Sequence, residues 1–131
     1  MLSVKGYSKD YIDSCKGKVE RDIEVFNLLD RYSIEFERCY FNNMVLILET
    51  MFIHRMRGQE GKDGNPLNEV RMLANSLLTN QGIMVSDKTI KYDYNRAVLN
   101  IQVGQMIAIS SVDFEKLSKA FFQCITEKFS E

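Results

Sequence analysis

SIEFERCYFNNMVLILETMFIHRMR, residues 33–57, is the stretch on which the fold turns. Its middle is almost wholly apolar: Tyr40, Phe41, Met44, Val45, Leu46, Ile47, Leu48, Met51, Phe52 and Ile53. A helix apolar nearly all round must be covered on most faces. The pattern therefore predicts a central helix over 34–57, around which the rest packs. Ser33 is placed to cap it, and Glu35 and Glu37 suit the positive end of its dipole. Its longest unbroken apolar run, 44–48, falls far short of the ~20 residues that span a bilayer.

N-terminal to it, Val19, Ile23, Phe26, Leu29 and Tyr32 recur at steps of three and four, which predicts an amphipathic helix over 19–32. Val4, Tyr7, Tyr11 and Cys15 fall near the same spacing, but Gly6 and Gly17 bracket them. Residues 1–18 thus read equally as a mobile arm or a short docked helix.

C-terminal to it, Gly58, Gly61 and Gly64 deny 58–64 a helix, with Gly58 suited to a C-terminal cap. Asn65 followed by Pro66 then starts a new one. Leu67, Val70, Leu73, Ala74, Leu77 and Leu78 form its stripe as far as Asn80, and Gly82 ends it. Beyond Ile83 the period becomes two, in Ile90, Tyr92, Tyr94 and again in Leu99, Ile101, Val103. Period two predicts strands, with Asn95-Arg96 as the turn and 106–109 as a third short strand. Ser110 or Ser111 caps a last helix with Phe114, Leu117, Phe121, Ile125 and Phe129 on its apolar face. The expected fold is one domain over 1–131, mainly α (α+β). It has four or five helices and a small antiparallel β-hairpin or three-stranded meander before the C-terminal helix.

Composition narrows the function. The 131 residues carry 17 basic and 18 acidic side chains, one histidine, one proline and no tryptophan. That balance argues against a strongly basic nucleic-acid binder. Lys88, Lys91 and Arg96 near the expected hairpin are offset by Asp87 and Asp93, and Tyr92 and Tyr94 suit sheet packing. No apolar stretch follows the lysine in residues 1–10, so no secretory signal is visible and a cytoplasmic protein is expected. Cys15, Cys39 and Cys124 form no CxxC pair. They read as small buried hydrophobes in a reducing compartment.

Residues 54–71 stand out: they hold the one histidine, the one proline and three of the seven glycines. A ligand site here draws on His54, Arg55, Arg57, Lys62, Asn65, Asn68 and Arg71, with an anion at the mouth of the helix that Asn65 starts. Against it, Glu60 and Asp63 repel anions, no Gly-Lys-Ser/Thr ending exists, and Asn65 satisfies the helix amides itself. Glu49, inside the apolar run, needs a partner; His54 and Arg71, or Arg55, supply a buried polar network. No metal site is expected. Glu60, Asp63, Asn65 and Glu69 miss the calcium-loop spacing, and His54 lies five residues after Glu49, not three. No cofactor is indicated.

The run His54-Arg-Met-Arg, then Glu60-Gly-Lys-Asp-Gly-Asn-Pro-Leu-Asn-Glu-Val-Arg71, resembles the signature of a family of small bacterial proteins without an assigned activity. The likeness continues through Asp87-Lys-Thr-Ile-Lys-Tyr92, Val103-Gly104, Asp113-Phe114 and Ala120-Phe-Phe122, and residues 1–33 stand outside it. It implies a bacterial source and transfers no catalytic role.

The expected function is an interaction or self-associating domain. The apolar surplus of the central and last helices suggests a homodimer. The rival is a small-molecule or phosphate-binding protein, or a small enzyme, with its site at 54–71. Nucleic-acid binding ranks behind both.

Overall fold

The computed structural model describes residues 6–56 and 58–131; residues 1–5, with Val4 among them, and Arg57 lie outside the described residues. Helix α1 is Lys9–Asn27, and α2 is Ile34–Leu48. A π turn, Glu49–Ile53, carries α2 directly into α3, His54–Met56. Helix α4 is Pro66–Thr79 and α5 is Ser111–Phe129.

The expected caps are in place. The hydroxyl of Ser33 accepts the Phe36 amide, and the Asn65 carboxamide oxygen accepts the amides of Leu67 and Asn68. Ser110 and Asp113 exchange bonds in a capping box. The N-terminal arm resolves as helix: Ser8 caps α1, which runs unbroken through Gly17 and ends at Asn27 rather than at 32. Ile12, Cys15, Val19, Ile23 and Phe26 are its buried stripe, continuous with the one the sequence showed from Val19 onward.

Helix α2 is the centre, as its composition requires. It packs on α4 and α5, and α1 lies on α5. Phe41, Leu48, Phe52, Ile53, Leu67, Leu73, Phe114 and Phe121 are wholly buried. The Tyr40 hydroxyl ties α2 to α1 by donating to the Asp22 carbonyl at 2.7 Å.

The expected hairpin is corrected. The described residues contain no strand; 80–110 is a chain of turns. Its one antiparallel bridge joins Ile83 to Met106, not 90–94 to 99–103. The reason lies in where the amides go. Val98 and Leu99 donate to the buried Glu69 carboxylate at 2.8 and 3.0 Å. Arg96 and Ala97 donate to the Asp93 carbonyl. Asn100 takes a positive φ of 55° while its side chain donates to Tyr94 and Ala97 carbonyls. With those amides committed, no ladder can form. The period of two survives only in part: Ile90 and Ile101 are buried in the core, while Tyr94 and Val103 are exposed.

Candidate functional site

The π turn decides how the predicted polar network is assembled. Residues five apart diverge by about 140° around an α-helix. Here the His54 amide reaches back to the Glu49 carbonyl, the wide i to i+5 ring of a π turn. That ring brings Glu49 and His54 to one side, with Oε1 and Nδ1 3.9 Å apart. The imidazole is solvent-exposed and the carboxylate partly covered. Both line a shallow depression with Arg71, Asn75, Leu78 and Asp87. The three residues of the expected network thus share one surface, but Arg71 does not bond Glu49.

Arg71 is held instead by Glu60, at 2.5 Å from Nη2 to Oε1. Glu60 is the buried member, and its other oxygen accepts the Gly58 amide at 3.1 Å. Arg71 Nε is buried with no partner among the described residues. An adjoining cleft of about 280 Å³ lies between Gly61 and Lys62, Arg71, and Asp87 with Thr89. Hydrogen bonds from the Thr89 hydroxyl and amide, with smaller contributions from Arg71 and Lys62, hold the Asp87 carboxyl below its ordinary range. The cleft is therefore neutralised by its own charges: Glu60 matches Arg71, and Asp87 faces both cations.

The other expected ligand residues are engaged elsewhere. Asn65 spends its oxygen on the α4 amides and its Nδ2 on Glu60 and Asp63 oxygens. Asn68 is buried. It accepts the Gly64 amide and donates to the Gly61 carbonyl, which ties the glycine loop to α4. Arg55 turns toward α1, its guanidinium 5.0 and 5.6 Å from the ring centres of Tyr11 and Tyr7. Arg57 lies outside the described residues. Burial pushes the thiols of Cys15 and Cys124 up, away from nucleophilic use. Cys39, expected to be buried, is exposed on α2. No helix among the described residues is long and apolar enough to cross a membrane, and no three of their His, Cys, Asp and Glu side chains group to hold a metal.

A second surface escaped the sequence reading. Where α1 turns into α2, Val25, Leu28, Leu29, Tyr32, Ile34 and Phe36 all face solvent. Leu28 is 81% exposed and Ile34 67%. The patch stands on an aromatic base. The Phe26 ring lies 4.6 Å from Tyr32, 6.2 Å from Phe36 and 4.8 Å from Phe41. Conversely, the surplus expected on the central and last helices is used internally, since Phe114, Phe121 and Phe122 are buried. The available signal was Leu28 and Ile34, two apolar residues off either helix's stripe.

Comparison with protein-family models, with curated proteins and with solved structures finds no match.

Proposed function

We propose that this protein is a protein-interaction domain whose working face is the α1–α2 corner. One observation carries the reading: six large apolar side chains within residues 25–36 are exposed on one turn of the fold. Single exposed apolar residues are ordinary, but a contiguous patch of this size marks a contact surface. Free cysteines suit a reducing compartment, which supports a cytoplasmic setting.

The test is a photo-crosslinking residue placed at Leu28 or Ile34 in cells that make the protein, with exposed Lys88 as the control position. A discrete adduct from 28 and 34, absent from 88, is the expected outcome. No adduct above the control overturns the reading.

A small-ligand site is the second reading, favoured by the π turn that sets Glu49 and His54 beside Arg71. A thermal-shift screen with phosphates, nucleotides and divalent metals tests it. A ligand at a hundred times its Kd adds about 2.7 kcal/mol to stability, and Arg71→Ala removes that gain.

A further inference from the structure

The corner carries its own charge complement. Around the patch stand Arg21, Arg31 and Arg38, and Glu24, Asp30 and Glu35. All six are exposed, and none is in an ion pair among the described residues. A nucleic acid or an anionic membrane selects one sign of charge. Along this rim both signs alternate, so the surface can pair with a second copy of itself.

Resting on the interaction reading, we infer that the partner is a second copy of this chain, related by a two-fold axis through the first turns of the two α2 helices. Glu35 and Arg38 are three residues apart, so they share a face of α2. When that face packs antiparallel on its copy, Glu35 of each chain meets Arg38 of the other. Ile34, one turn before Arg38 on the same side of α2, then lies beside the axis, and Leu28 and Leu29 extend the contact along the end of α1. The six apolar side chains present on the order of 500 Å². A standard interface takes about 800 Å² per partner, and the charged rim supplies the difference. Cys39 sits one turn after Glu35 on the same exposed face, while Cys15 and Cys124 are buried. It is a built-in reporter of the axis.

Sedimentation equilibrium on the purified chain tests the arrangement, with wild type, Glu35→Arg, Arg38→Glu, the Glu35→Arg/Arg38→Glu double variant and Leu28→Glu. The wild type is expected to dimerise. Each single variant should weaken the dimer by about tenfold or more, with the circular-dichroism melt unchanged, and the double variant should restore it. A flexible bismaleimide should give a covalent dimer that Cys39→Ser abolishes. A wild type that stays monomeric at millimolar concentration overturns the proposal, as does a double variant no better than the singles. The photo-crosslink separates the two levels. An adduct at 28 to a different protein, with a monomeric chain, removes the second copy and leaves the interaction reading. No adduct and no dimer remove both.

Discussion

The Tyr7 hydroxyl donates a 2.7 Å hydrogen bond to the Phe52 carbonyl oxygen, 45 residues along the chain. Tyr11 does the same for the Met51 carbonyl at 2.6 Å. Both carbonyls lie within the π turn, so the two phenols tie the start of α1 to it. Tyr7 also gives its amide to the Phe129 carbonyl and accepts the Glu131 amide. One buried residue thus joins the start of α1, the π turn and the end of α5.

Tyr7→Phe keeps the ring and deletes that donor. Losing one buried hydrogen bond costs about 0.5–1.5 kcal/mol. The urea midpoint should fall with the m value unchanged. A midpoint equal to wild type would show that the phenol does not hold the turn.

Alkaline pH should weaken the fold through the same group. Burial pushes the Tyr7 phenol up to about 12, with Arg55 opposing; burial and then Glu69 push Tyr92 up to about 12. An unfolded tyrosine ionises near ~10. Below that pH both states are neutral and the contribution is complete. Between about 10 and 12 the unfolded chain sheds protons that the native state keeps, so stability falls as pH rises. Tyr92→Phe should flatten that slope by nearly one proton, whatever its effect at neutral pH. Urea midpoints measured across this range check it, and an unchanged slope refutes it.

Glu69→Ala strips the Val98 and Leu99 amides of their acceptor. Two part-buried donors left unpaired should cost about 1–3 kcal/mol. Hydrogen exchange at those two amides should accelerate well beyond that of α2. Equal acceleration everywhere would mean that the carboxylate holds no particular segment. Burial raises the Glu69 pKa, and the two amide bonds from Leu99 and Val98 work against that rise.

That carboxylate also marks where the sequence stopped being readable. Apolar density betrayed α2, and Asn65-Pro66 and Ser110 betrayed the starts of α4 and α5, because capping is local chemistry. The alternation in 90–103 predicts a ladder that does not form. The amides of Val98 and Leu99 are claimed by a side chain some thirty residues earlier, which no local pattern reveals. The π turn was equally hidden. The sequence pairs Glu49 with His54 as candidate partners, but five helical steps separate them by about 140°, and the wide ring is what aligns them. At the site, Asn65 was legible as a cap, whereas the Glu60–Arg71 pair was not, since charge spacing does not say which acid faces which base.

Two glycines should respond in opposite directions. A Cβ on Gly64, at φ +86°, would sit 2.3 Å from the Lys91 carbonyl oxygen. Gly64→Ala should therefore cost about 2 kcal/mol or more. Gly17, in the exposed interior of α1, has nothing within 4 Å of its Cβ position. Gly17→Ala should raise stability by about 0.5–1 kcal/mol. Calorimetry of the two variants decides, and loss of stability in both would contradict the placement of residue 17 in a helix.

Arg71→Ala leaves the Glu60 carboxylate buried without its cation. Breaking a fully buried pair costs about 3–5 kcal/mol. Arg71 is 38% exposed, so solvent screening lowers the expectation to about 2–3 kcal/mol. Adding Glu60→Gln should recover part of the loss, because the stranded charge is gone while an acceptor remains for the Gly58 amide. Additive losses in the double-mutant cycle would show that the two groups do not interact.

The π turn is also an insertion that the helix has absorbed. Counted in α-helical steps, the stretch from Ile34 to Met56 holds one residue too many for a single continuous stripe. The wide ring absorbs the surplus within Glu49–Ile53, where Thr50 faces solvent, and the helix on either side keeps its own apolar face toward the core. A chain lacking Thr50 would regain ordinary helical phase there. Glu49 and His54 would then become neighbours at i, i+4. The two tyrosine hydroxyls of α1 would then face an ordinary helix, so one codon separates the wide ring from a plain α-helical passage between α2 and α3.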